Sequence, residues 1–193
     1  MLYIAYGSNM DLDQMDVRCP GAAYVDTVEL DGWRLMFKGS LSGNYATVER
    51  EPGCKVPALL WEIDEQHEKS LDRYEGFPNF YYKVMVTLPK YGTAMMYVMH
   101  DNRKLGLPSR HYYGVLHKAY KLFKFDMKIL NEAMDYSAGE PQFKQGRRKL
   151  PLDKRRLGRK IYCTKEEYEW MVKKLEDRRF CLGLPPKIHR AKK

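Results

Sequence analysis

The first seventeen residues constrain the fold and the chemistry of this chain more than any other stretch. Residues 2–6 form a β-branched and aromatic run, Leu-Tyr-Ile-Ala-Tyr, that suits a strand buried on both faces. The run stops at Gly7, Ser8 and Asn9, residue types that favour turns and tolerate unusual dihedral angles. A short helical pattern with acidic residues in its first turn follows over 11–17. The stretch therefore predicts a strand, a tight turn and the start of a helix.

The predicted turn is suited to binding an anion. Several backbone N–H groups would point outward from it, and its small side chains would let a ligand come close. A carboxylate or an oxyanion is the expected ligand. The same residues leave an alternative open, a structural strand–helix turn that binds nothing, because a single Gly-Ser-Asn turn is not a specific signal.

Turn signals recur through the first hundred residues and divide them into short segments. After the opening strand, further strands are predicted at residues 22–30, 33–38, 45–49, 56–63, 80–88 and 93–99. Polar turns are predicted at Asp31-Gly32 and at 51–53. Helices are predicted at residues 11–17, 65–74, 112–123 and from Asp126 to near Gly139. This order predicts an α+β fold with a largely antiparallel sheet that could close into a small barrel.

Charge is distributed unevenly along the 193 residues, whose net charge is +9. Residues 140–193 hold 18 Lys and Arg against 7 Asp and Glu, whereas residues 1–139 hold 16 against 18. We therefore predict a nearly neutral domain at 1–139 and a basic extension at 140–193, made of a linker, a short strand and a helix. The extension could contact nucleic-acid phosphates, but a solvated linker and a docking helix are favoured, because no stacking aromatics or second helix are recognisable.

Cysteine and histidine spacing gives no indication of a metal site. The four cysteines are widely spaced without a Cys-x-x-Cys pair, and the five histidines form no ligand pattern, so no metal, cofactor or disulfide framework is predicted. The sequence contains no run of about 18 apolar residues that could span a bilayer. The N-terminus has neither the basic segment nor the apolar stretch of a secretory signal. We expect a soluble, cytoplasmic chain with no membrane partner.

Glu75, at the predicted end of the middle helix, is the second candidate for a chemical role. Exposed carbonyl groups at a helix C-terminus make the local potential negative. Five aromatic residues nearby in sequence could exclude water: Tyr74, Phe77, Phe80, Tyr81 and Tyr82. Both effects disfavour the carboxylate, so the pKa of Glu75 is expected to rise toward neutrality, as a proton shuttle requires. The alternative is a surface glutamate beside a helix-ending glycine.

Two motifs occur in a specific order along the chain. Tyr-Gly-Ser-Asn-Met at 6–10 follows the first strand, and Leu-Asp-Arg-Tyr-Glu-Gly occurs downstream at 71–76. Together they resemble the γ-glutamylcyclotransferase (AIG2-like) family over about residues 1–136. The resemblance implies a small mixed, mostly antiparallel β-barrel with flanking helices, and residues 140–193 lie outside it.

The resemblance also implies an activity and a set of site residues. The implied reaction is cleavage of a γ-glutamyl amide by its own α-amine, releasing 5-oxoproline and a free amine or amino acid. The implied enzyme is of the amidine-lyase or acyltransferase type and needs no cofactor, with Glu75 as general acid and base. The implied residues binding the small γ-glutamyl substrate are Tyr6, Gly7, Ser8 and Asn9, with Tyr97 and Tyr112 as further candidates. The alternative is a protein that keeps the fold and binds a small molecule without turning it over.

Overall fold

The structure, a computed structural model, describes residues 1–40 and 43–139. Within these residues the elements, in chain order, are β1 (Leu2–Ala5), a 3-10 helix (Ser8–Met10), α1 (Leu12–Arg18), β2 (Ala23–Ser40), β3 (Gly43–Glu62), α2 (Glu65–Glu75), β4 (Tyr81–Leu88), β5 (Gly92–Met99), β6 (Lys104–Leu105), α3 (Arg110–Leu122) and α4 (Met127–Ala138). The linker, strand and helix predicted at 140–193 lie outside the described residues, and the domain boundary at 139 stays a prediction.

The strands form one mixed sheet in the order β4-β5-β1-β3-β2-β6. Its neighbouring strands are antiparallel except for β1 and β5, which are parallel. The sheet curls into a half-barrel, and the four helices flank it. The expected α+β fold, with a small mixed and mostly antiparallel barrel and flanking helices, is confirmed, and the curl extends over half of a barrel.

Strands β2 and β3 depart most from the prediction, because four predicted short strands are in fact two long ones. The two strands pair from Ala23 opposite Glu62 to Ser40 opposite Gly43. Turns that end strands were predicted at Asp31-Gly32 and at 51–53, and this prediction is wrong because the strands continue past both positions. Asp31 pairs with Lys55 and Trp33 with Arg50, so that residues 51–54 bulge out opposite Gly32. Pairing continues on both sides of a β-bulge, so these turn-favouring residues distort the ribbon without ending it.

Local capping signals define α2, the helix that carries Glu75. The Asp64 carboxylate accepts hydrogen bonds from the backbone N–H groups of Gln66 and His67, both at 2.8 Å. Gly76 ends the helix in the left-handed conformation, with φ at 65°. Side-chain acceptance at the N-cap and glycine at the C-cap are the strongest local determinants of helix ends. The predicted helix at 65–74 is therefore confirmed to within one residue.

A single apolar core fixes the helices to the sheet. Met15 of α1, Leu71 of α2, Leu116 of α3 and Leu130 of α4 are all fully buried among the strand side chains. Burial of each such side chain contributes about 1.5–3 kcal/mol. The anchored helices place the C-terminus of α2 beside the turn that follows β1, where the two sequence motifs meet.

Candidate active site

The turn after β1 has the predicted form of strand, tight turn and helix start. Ser8, Asn9 and Met10 form the buried 3-10 helix, and the Asp11 side chain caps α1 by accepting from the Gln14 N–H at 3.1 Å. A Cβ atom at Gly7 would lie 3.3 Å from the Tyr112 hydroxyl. Glycine therefore allows the turn to lie close against α3.

A cavity of about 310 Å³ opens at this turn. All of the residues predicted as site residues line it: Tyr6, Gly7, Ser8, Asn9, Glu75, Tyr97 and Tyr112. The two motifs, far apart in the chain, thus face the same cavity. Of the aromatic residues expected to surround Glu75, Tyr74, Phe80 and Tyr81 are in the wall, whereas Phe77 and Tyr82 are not among the lining residues.

Glu75, the last residue of α2, presents its carboxyl group to this cavity. The Asn9 side-chain Nδ2 donates a hydrogen bond to Glu75 Oε1 at 3.0 Å. Burial raises the pKa of Glu75 to about 7, while the positive charge of Arg18 and the hydrogen bond from Asn9 oppose this rise. The whole residue is half-buried, and its carboxyl group lies among the aromatic side chains that line the cavity. Desolvation is therefore the dominant effect on the carboxyl group.

Tyrosine hydroxyl groups give the wall a fixed pattern of polar groups. Tyr6 donates to the Tyr97 carbonyl oxygen, and Tyr81 donates to the Ala46 carbonyl oxygen at 2.8 Å. The Ala46 N–H donates to the Tyr112 hydroxyl at 3.1 Å. Burial raises the pKa of Tyr6, Tyr81 and Tyr112 well above the ordinary value, so all three remain neutral near pH 7.

Tyr97 also connects the cavity wall to α2. Its hydroxyl group donates to Asp72 Oδ1 at 2.6 Å. Lys83 of β4 pairs with Asp72 at 2.7 Å and with Glu68 at 2.6 Å. These contacts hold the last two turns of α2 against β4 and β5, and thereby fix where Glu75 lies.

Two residues at the site, Tyr3 and Arg18, were missed by the sequence analysis. Asn9 Nδ2 donates to the Tyr3 hydroxyl at 2.7 Å, and Arg18 donates to Asn9 Oδ1 at 2.5 Å. The guanidinium of Arg18 also lies 3.6 Å from the ring centre of Tyr74. A basic residue in the last turn of a helix is common, because it complements the helix dipole, so its position alone does not indicate a site contact.

Residues 1–40 and 43–139 contain neither a cluster of metal-binding side chains nor a membrane-spanning helix. No group of three His, Cys, Asp or Glu side chains in that part of the chain could hold a metal ion. No helix there is long and apolar enough to cross a membrane.

We expect Gly76→Ala to destabilise the fold by about 1–2 kcal/mol, because an L side chain is strained at positive φ. The added Cβ would also come within 3.1 Å of the Phe80 Cβ. Urea unfolding measures the change. Gly114→Ala is the matched control, because no heavy atom lies within 4 Å of its added Cβ in α3 and helix propensity favours Ala by about 0.5–1 kcal/mol. Equal stability of wild type and Gly76→Ala would contradict the expectation that a side chain at this position is strained.

Fold and cavity together define a class of protein: a small α+β half-barrel whose cavity places one buried carboxyl group beside a Gly-Ser-Asn turn. A family model described as gamma-glutamyl cyclotransferase, AIG2-like, matches residues 3–118. The chain belongs to this family. The family resemblance seen in the sequence is therefore confirmed.

Individual relatives of this chain carry the same family name. A gamma-glutamylcyclotransferase of Homo sapiens is 32% identical over 91 residues, covering 44% of this chain and 48% of the relative. One of Mus musculus is 31% identical over 127 residues, covering 60% of this chain and 67% of the relative. The chain thus spans about half the length of the human relative. A solved structure described as gamma-glutamyl cyclotransferase has the same fold, with a TM-score of 0.59 at 24% identity over 90% of this chain and 98% of that one.

Proposed function

We propose that this protein is a γ-glutamylcyclotransferase. It would cleave a small γ-glutamyl amide by attack of the substrate's own α-amine, releasing 5-oxoproline and a free amine or amino acid. The observation that carries the proposal is the Glu75 carboxyl group, which is desolvated beside the turn at 7–9 in a cavity of about 310 Å³. A cavity of this size is at the lower end of the range for small-molecule sites, about 300–1,000 Å³.

The turn at 7–9 would hold the oxygen atoms of the γ-glutamyl group. The N–H groups of Met10 and Asp11 bond to the carbonyl oxygens of Gly7 and Ser8 inside the turn. The N–H groups of Gly7 and Asn9 would therefore be the ones offered to a ligand, since the first N–H groups of a helix have no acceptor within it. The Ser8 N–H donates to the Tyr112 hydroxyl oxygen, so a ligand oxygen there would accept from the Tyr112 O–H.

Glu75 would transfer two protons in the reaction. As a carboxylate it takes a proton from the substrate α-ammonium, and the freed amine attacks the γ-carbonyl carbon to form a five-membered ring. As a carboxylic acid it then gives that proton to the leaving nitrogen, takes the second proton from the positively charged ring nitrogen, and the original C–N bond breaks. The released amine takes this second proton, so that Glu75 is again a carboxylate. A pKa of about 7 suits both transfers at neutral pH.

Two further effects would lower the barrier. Amine and carbonyl belong to one molecule, and effective molarities of well-oriented intramolecular reactions reach about 10⁵ M or more. The tetrahedral intermediate carries a negative oxygen, which the N–H groups of Gly7 and Asn9 and the Tyr112 hydroxyl would stabilise. These steps need only proton transfer and hydrogen bonding by residues of the chain.

A substrate panel tests the proposal. The protein is incubated with γ-glutamyl dipeptides and γ-glutamyl amines, and 5-oxoproline is quantified by mass spectrometry. Matched α-glutamyl dipeptides are the control, because their α-amine cannot close a five-membered ring on the peptide carbonyl. We expect 5-oxoproline from γ-linked compounds alone. Absence of product from a broad γ-linked panel would refute the enzymatic function.

The pH dependence of kcat/KM should have an acid limb at about 7, because Glu75 must be ionised to take the first proton. The rate should rise with pH through this limb and fall again where the substrate ammonium loses its proton. Two substrates with different amine pKa values separate the limbs, since only the alkaline limb should move. An acid limb near 4.5, the ordinary pKa of a glutamate, would show that Glu75 is not desolvated in solution.

A further inference from the structure

We propose that Arg18 is a positioning residue of this site, which holds the side-chain oxygen of Asn9 and thereby fixes the face that Asn9 presents to Glu75. The inference rests on the proposed function. It concerns a residue of α1 that lies outside both sequence motifs.

Three close contacts hold the guanidinium of Arg18 in one place, and its NH1 also donates to Ser8 Oγ at a longer distance of 3.5 Å. Its NH1 donates to Asn9 Oδ1 and its NH2 to Gln14 Oε1, each at 2.5 Å. Its Cζ lies over the Tyr74 ring, 3.6 Å from the centroid. A planar fork of donors that also stacks on an aromatic face is specific to arginine, so a lysine could not make all three contacts.

The orientation of the Asn9 amide follows from these contacts. An asparagine side chain has one accepting and one donating end of nearly the same shape. Because Arg18 can only donate, it selects the orientation with the amide oxygen toward itself. The NH2 group is then directed to the Tyr3 hydroxyl at 2.7 Å and to Glu75 Oε1 at 3.0 Å. The reverse orientation would place the amide oxygen against Glu75, where it would repel a carboxylate but could accept from a carboxylic acid.

Arg18 also carries the positive charge that lowers the pKa of Glu75. Among the described residues, Tyr74 of α2 lines the same cavity, and the tyrosines that interact electrostatically with Glu75 come from several elements of the fold: Tyr3 and Tyr6 at β1, Tyr81 of β4, Tyr97 of β5 and Tyr112 of α3. The pKa of each of these interacting tyrosines is raised, so all of them are neutral near pH 7. They therefore carry no charge that would oppose the effect of burial on the pKa of Glu75. Loss of Arg18 would remove both the favourable charge and the fixed Asn9 donor, and the pKa of Glu75 should rise further.

The test compares Arg18→Gln and Arg18→Lys with Arg73→Gln, which removes an exposed positive charge from α2. We expect the acid limb of kcat/KM to move up by about one pH unit in Arg18→Gln. Arg18→Lys, which keeps the charge but loses the fork, should move it by less, and Arg73→Gln should leave it in place. In an Asn9→Ala background Arg18→Lys should have no further effect, because no amide is left to orient.

A measurement without substrate separates this inference from the proposed function. The Glu75 carboxyl carbon is titrated by ¹³C NMR in the wild type and in the Arg18 variants. An upward midpoint shift in Arg18→Lys, which keeps the charge, that disappears in the Asn9→Ala background supports the positioning role even if no γ-glutamyl compound is turned over. An unchanged midpoint in a folded Arg18→Gln variant overturns it, even if 5-oxoproline is made. If Arg18→Gln does not fold, Arg18→Lys decides in the same way.

Discussion

Glu75→Gln should lower the rate of 5-oxoproline release at least a thousandfold and leave substrate binding nearly intact. Glutamine has almost the same shape and can still accept the hydrogen bond that Asn9 donates at 3.0 Å. It can neither take a proton from the α-ammonium nor give one to the leaving nitrogen. General acid–base catalysis contributes about 10²–10⁴-fold in rate, and the loss of both proton transfers places the effect in the upper part of this range.

Two measurements on the same variants check this expectation. Single-turnover assays give the rate, and calorimetric titration gives the affinity of Glu75→Gln for an intact γ-glutamyl substrate, which this variant should not consume. Glu65→Gln is the control, because it makes the same change at an exposed position at the start of the same helix. A rate within tenfold of wild type in Glu75→Gln would exclude Glu75 as the proton shuttle.

The same substitution should stabilise the fold at pH 8 by about 3 kcal/mol relative to the wild type. The pKa of Glu75 is about 7 in the folded chain against 4.5 as its ordinary value, and each pKa unit corresponds to about 1.4 kcal/mol. Below pH 4.5 the carboxyl group is protonated in both states, so it imposes no ionisation cost. As the pH rises from 4.5 to 7 the unfolded chain ionises and the folded chain does not, so the wild type loses stability. Above pH 7 the loss is complete.

Urea unfolding at several pH values measures this effect. The stability difference between Glu75→Gln and wild type should be near its minimum at pH 4.5, grow up to about pH 7 and then level off. Glu65→Gln should follow the pH dependence of the wild type. A difference that does not change with pH would mean that Glu75 is solvated in the folded protein. Opposite effects on activity and stability are typical of a group that function keeps in an unfavourable environment.

Local signals predicted the helices well, because the determinants of a helix end lie within a few residues. Asp64 and Gly76 bound α2 through contacts inside the segment itself. Ser109 caps α3 in the same way, by accepting from the Tyr112 N–H at 3.2 Å. The same local reasoning failed at residues 51–54, where turn-favouring residues lie within a long strand, because the pairing partner in β2 continues past them.

The sequence alone determined the residue types of the site: a small-residue turn after a buried strand, a glutamate at a helix end, and the family to which both motifs belong. Only the tertiary structure decided that Asn9 bonds to Glu75, that Tyr3 and Arg18 complete this contact, and which aromatic rings line the cavity beside Glu75. These are contacts between separate elements, and they depend on how the helices pack on the curled sheet. A helix end can be recognised from its own residues, whereas desolvation of a carboxyl group depends on side chains from distant parts of the chain.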